Sequence, residues 1–107
     1  MKVAELVQGT LKSGVDQNEF LKFITAHNQK YLYTVGGFVS QNIMHNGNDI
    51  CNLTIFKDEQ SRQNALKLMQ EYINHSIEGF NDKKLFDYID MSTVKVTQYG
   101  VDTTYSI

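Results

Sequence analysis

The stretch Gly36-Gly37-Phe38-Val39-Ser40-Gln41-Asn42-Ile43-Met44-His45-Asn46-Gly47-Asn48-Asp49-Ile50-Cys51-Asn52-Leu53-Thr54-Ile55-Phe56 decides the fold of this chain. Two β-rich runs flank an Asn-Gly pair, the strongest short-range signal for a hairpin. Outward from the hairpin, the N-terminal side carries a helical pattern and, before it, a strand. Residues 2–11 alternate loosely, with Val3, Glu5 and Val7 on one face and Ala4, Leu6 and Gln8 on the other, and Lys12-Ser13-Gly14 closes the run. Asp16 with Glu19 three residues on forms an acidic variant of the capping box, and Phe20, Phe23, Ile24, His27 and Tyr31 follow at helical spacing. This predicts a helix from about Asp16 to about Tyr31 that ends before Gly36-Gly37.

On the C-terminal side, Lys57-Asp58-Glu59-Gln60-Ser61 offers two capping residues and an acidic first turn. Ala65, Leu68, Met69, Tyr72 and either His75 or Ser76 make one helical stripe, widened by Leu66 and Ile73. Gly79 breaks the pattern, and Phe80 to Met91 reads as a short third helix. Thr93 to Tyr99 is a strand, which Thr103 to Ile107 extend or flank with an edge strand. The order β-α-β-β-α-β defines an α+β, ferredoxin-like domain spanning residues 1–107.

The bulk composition narrows the function classes. With 107 residues and 41% apolar content the chain is one folded domain with a core of modest size. Ten basic against twelve acidic side chains, without a basic cluster, argue against nucleic acid as a partner. No run approaches the roughly 18 apolar residues of a membrane span, and the expectation is a soluble, cytoplasmic protein. The single cysteine, Cys51, excludes an intrachain disulfide and reads as a small hydrophobe on a strand. Zinc-ligand spacing, a phosphate-binding glycine loop and a serine nucleophile elbow are all missing.

Both faces of the sheet carry apolar side chains. In the second strand Val39, Gln41 and Ile43 are expected on one side and Phe38, Ser40 and Met44 on the other. In the third, Cys51, Leu53 and Ile55 oppose Thr54 and Phe56. Two helices cover one face only, so the other requires a cover, and a second copy of the same sheet supplies it. A homodimer is expected.

At this point the hairpin resembles a known family. Gly37-Phe38-Val39-Ser40-Gln41-Asn42-Ile43, a short turn, and Asn52-x-x-x-Phe56 before a polar helix start are similar to the dimeric α+β barrel superfamily, in particular its antibiotic biosynthesis monooxygenase (ABM) domain. The resemblance implies a pocket between sheet and helices. It also implies oxygenation of a small aromatic, phenolic or quinol-like substrate with O2 and no cofactor. Asn52 matches the family's pocket asparagine, and Phe56 stands where the family has tryptophan, keeping the apolar wall but losing the indole donor. A second resemblance, of Phe38-Val39-Ser40-Gln41 to the staphylococcal-type haem-degrading monooxygenases, leaves haem binding through His75 open. In that comparison Val7 replaces the first-strand asparagine, and the chain has no tryptophan.

Each candidate residue has a functional and a structural reading. Asn52, in an otherwise apolar strand, needs its amide satisfied by backbone, water or ligand. His75 reads either as a helix-end histidine favoured by the dipole or as a general base. Tyr72 packs in the core or orients substrate. His27, Phe23 and Met69 pack the core or line a substrate pocket; His45, beside the turn, is exposed. The expected catalytic group is Asn52, His75 and Tyr72, and the expected substrate-binding group is Phe56, Phe23, His27 and Met69. The alternative is a non-catalytic dimer that binds a small hydrophobic or aromatic ligand.

Overall fold

The computed structural model describes residues 1–106. Its elements are β1 (Val3–Leu11), α1 (Gln17–Tyr31), β2 (Phe38–Asn46), β3 (Asp49–Phe56), α2 (Glu59–Tyr72), α3 (Leu85–Tyr88) and β4 (Ile89–Gly100). The four strands form one sheet in the order β2-β3-β1-β4, with every neighbouring pair antiparallel. This is the ferredoxin-like topology that the element order implies. Residues 101–106 form no strand, and Ile107 lies outside the described residues. No described helix is long and apolar enough to cross a membrane.

Local chemistry explains the element boundaries. Asp16 caps α1, its carboxylate accepting from the backbone N–H groups of Asn18 and Glu19. Glu19 does not return the bond of a capping box; it accepts instead from Lys83 Nζ at 2.9 Å and from the Tyr88 hydroxyl at 3.3 Å. That contact ties α1 to α3 and, with burial as the larger cause, pushes the Tyr88 pKa up to about 12. Asp58 caps α2 by accepting from the Ser61 N–H and hydroxyl. The β2–β3 turn is two residues, Gly47-Asn48, with Gly47 first at φ +60°, the place where this turn requires glycine.

The register of β2 differs from simple alternation. A bulge between Phe38 and Ser40 shifts the pairing with β3, so Phe38 faces the helices together with Gln41 and Ile43, and the expected opposition of Phe38 to Gln41 is corrected. Phe38 then packs on Phe56 and Tyr33. Gly37 precedes the bulge at φ +88°, and a Cβ there would stand 2.6 Å from the Ser61 Cβ. The backbone of the bulged corner thus lies against the first turn of α2.

On the helix-facing side, Leu11, Phe20, Phe23, Ile24, Ile50 and Tyr88 form the main buried cluster. A smaller one joins Leu32, Phe56 and Ala65. The opposite face carries Leu6, Met44, Leu53, Ile55 and Tyr99, by alternation along the paired strands.

Candidate functional site

A cavity of about 210 Å³ lies between the two clusters, under α2. Val7, Ile50, Asn52 and Phe56 supply its floor from the central strands, and Ala65, Leu66, Met69 and Ile73 its roof from α2. Leu85, Ile89, Val94 and Val96 close it from α3 and β4, and Phe20 and Ile24 from α1. The lining members Leu66, Met91 and Val96 are exposed, at 39%, 41% and 53%, and mark the mouth. These positions follow from sequence: β3 alternates, so Ile50, Asn52, Thr54 and Phe56 all look toward the helices.

The polar groups at the cavity divide into satisfied and unsatisfied. Asn28 Nδ2 and the Tyr33 hydroxyl donate to Gln41 Oε1 at 3.0 and 2.7 Å, and Gln41 Nε2 donates to Thr54 Oγ1 at 3.0 Å. That network is closed. Asn52 Oδ1 is buried and has no hydrogen-bond partner, a costly state for a polar atom in an apolar enclosure.

A charged group borders the same space. Arg62, only 6% exposed, donates from Nε and Nη2 to Glu59 at 2.7–3.0 Å and from Nη1 to Glu5 Oε2 at 3.4 Å. With its amide turned to accept, Gln98 adds contacts of 2.9 and 3.1 Å to the guanidinium. The Glu59 hydrogen bonds raise the Arg62 pKa above its ordinary value, so the cation is fixed.

The expected site residues fall into two places. Asn52, Phe56 and Met69 meet at the cavity. Phe23, His27, Tyr72 and His75 do not line it; they form an aromatic ladder beside it. Ring centroids run Phe23–His27 5.9 Å, His27–Tyr31 5.0 Å, Tyr31–Tyr72 4.4 Å at a 10° stack, and Tyr72–His75 4.9 Å. His27 is fully buried, with neither ring nitrogen hydrogen-bonded, and burial pushes its pKa below 6.5. His75 is exposed. Helical periodicity put Tyr72 and His75 on one stripe of α2, but α2 ends at Tyr72, so that Tyr72 stacks on Tyr31 and His75 lies past the helix.

Sequence reasoning missed Glu5, Arg62 and Gln41 as polar members of the site. The signal for Glu5 was visible: a carboxylate sharing a strand face with Val3 and Val7 is placed where only a paired charge is stable. Its partner Arg62, on the buried face of α2, carried no such mark.

A haem held by a histidine does not fit the cavity, because no histidine is among the described residues that line it and His75 packs edge-on against Tyr31 and Tyr72 instead. Among the described residues, no three His, Cys, Asp or Glu side chains gather where a metal could be held.

No protein-family model matches the chain, and no curated protein matches it. Solved structures do. SnoaB, a cofactor-independent oxygenase from Streptomyces nogalater, superposes with a TM-score of 0.67 at 16% identity, over 96% of this chain and 95% of SnoaB. The NE2512 protein of unknown function from Nitrosomonas europaea gives 0.71 at 14% identity, over 99% of this chain and 94% of its own. An MhuD variant with two manganese protoporphyrin IX molecules bound per active site gives 0.67 at 10% identity, over 97% and 98%. The chain therefore shares an α+β, ferredoxin-like fold with these proteins along essentially its whole length.

Proposed function

We propose that the protein is a cofactor-independent oxygenase of ABM type that takes a small aromatic, phenolic or quinol-like compound into the cavity under α2. The observation that carries this reading is the buried, unpartnered Asn52 Oδ1 at the floor of a mainly apolar cavity. A polar atom in that position is satisfied by a ligand that brings its own hydrogen-bonding group. SnoaB, which shares the fold, supports an oxygenase that needs no cofactor.

In this reaction the substrate supplies the electrons. The hydroxyl loses its proton, the resulting anion is electron-rich at the ring carbon, O2 reacts there, and the proton ends on the oxygen atom that departs. For a phenol converted to a quinone, one oxygen atom enters the ring and the other leaves as water. The protein excludes bulk water, fixes the ring between Phe56 and Met69, and presents the Asn52 amide so that Nδ2, its donor, hydrogen-bonds the substrate oxygen. Asn52→Ala is expected to lower the oxygen-uptake rate with 1-naphthol by on the order of 100-fold, the usual effect of removing one oxyanion donor. Unchanged uptake and unchanged naphthol affinity in that variant overturn the assignment.

A second reading has its own support. Phe56 offers no N–H, and Tyr72 and His75 stand outside the cavity, an arrangement that also suits a non-catalytic binder of a small aromatic ligand. Binding of 1-naphthol without oxygen uptake selects it. For either reading we propose a homodimer in which the helix-free face, with Leu6, Leu53, Ile55 and Tyr99, is covered by a second copy; the apolar character of that face supports it.

A further inference from the structure

Glu5 sits mid-strand in β1 on the helix-facing side, opposite Thr54 of β3 and Gln98 of β4. Among the described residues it is the only carboxylate in the cavity lining. Cys51, the other titratable lining residue, alternates with Ile50 and Asn52 and directs its thiol to the opposite face of the sheet. Arg62 Nη1 holds Glu5 Oε2 at 3.4 Å. Glu5 Oε1 accepts no hydrogen bond from any described residue.

An ionised carboxylate accepts hydrogen bonds and donates none. One free carboxylate oxygen beside an apolar cavity therefore calls for a donor on the ligand, and Arg62 is already committed to Glu59 and to the other oxygen. Size narrows the ligand further. An apolar cavity of about 150 Å³ holds benzene, so 210 Å³ accommodates a second fused ring or a few ring substituents. We propose that Glu5 is the specificity-determining residue of this cavity: it accepts a hydrogen bond from a ligand hydroxyl and so selects one- or two-ring hydroxyarenes over their ethers. The choice of hydroxyarenes as the class rests on the oxygenase reading above. Arg62 is the positioning residue, balancing the carboxylate's charge and leaving Oε1 to the ligand. A quinone product, which has acceptors only, loses the bond to Glu5 and gains a repulsive oxygen in its place, which favours release.

The test is calorimetric titration of 1-naphthol and of 1-methoxynaphthalene, a ligand of similar shape with no donor, into the wild-type protein, Glu5→Gln and Glu5→Asp. Wild type is expected to bind the naphthol about 10-fold more tightly than the ether, the effect of one hydrogen bond to a charged acceptor. Glu5→Gln removes the charge, and Glu5→Asp keeps it but retracts it by one methylene. Each is expected to cut the ratio to about threefold or less while leaving ether affinity within about twofold. Equal affinity of the two compounds for wild type, failure of both to bind, or a ratio unchanged in a folded variant overturns the inference. Oxygen uptake in the same samples separates the two proposals. Selectivity that follows Glu5 without uptake overturns the oxygenase reading alone, and uptake with Glu5-independent selectivity overturns this inference alone.

Discussion

His27 gives the core a pH response. Its imidazole is buried against Phe23 and Tyr31 without a hydrogen-bond partner, and burial holds its pKa below 6.5. The unfolded chain takes up a proton near pH 6.5 that the folded protein refuses. Below that pH the unfolded state binds more protons, so stability is full above about 6.5 and falls by up to about 1.4 kcal/mol per pH unit beneath it. Hydrogen bonds hold the Glu19, Asp58, Glu59 and Asp90 carboxylates below their ordinary range, outside this window. Urea unfolding at pH 7.5 and 5.5 is expected to show the loss, and His27→Leu to flatten it; an equal slope in that variant counts against this account. For Asn52, strand alternation puts the side chain on the helix-facing side, where its oxygen is unpaired. For Tyr72 and His75 the sequence was not sufficient, since a helical stripe says which face is buried but not what lies opposite its last turn.

At the scale of elements, capping residues were the clearest text. Asp16 and Asp58 each receive the backbone N–H groups expected of an N-cap. Asp58→Ala is expected to cost about 1 kcal/mol in chemical denaturation, without loss of ligand affinity, because Asp58 does not line the cavity. The β2 bulge was hidden: nothing in Phe38-Val39-Ser40 marks an extra residue, and only the packing of Phe38 on Phe56 fixes it. Gly37 makes that corner sensitive. Gly37→Ala meets both the left-handed backbone at φ +88° and the Ser61 side chain, and a loss on the order of 3 kcal/mol is expected. A fall in melting temperature of less than a few degrees in Gly37→Ala is the result that would refute this reading of the corner.

At the scale of the whole molecule, the helix-free sheet face is the surface through which a second copy is proposed to dock. Leu53→Asp is expected to convert a dimer into a monomer by light scattering, while the wild type runs at twice the chain mass; a monomeric wild type refutes the dimer. By itself the sequence determined the element order, the two helix starts, the turn at Gly47 and the facing of Asn52, Phe56 and Met69. Those features depend on neighbours within one turn or on strand alternation, which are local. Tertiary structure alone decided that Glu5, Arg62 and Gln98, drawn from β1, α2 and β4, meet beside one cavity, and that the aromatic ladder from Phe23 to His75 lies outside it. These depend on strand order and on the angle at which helices cross the sheet. Such long-range geometry is set by the packing of the entire core, and no single segment carries it.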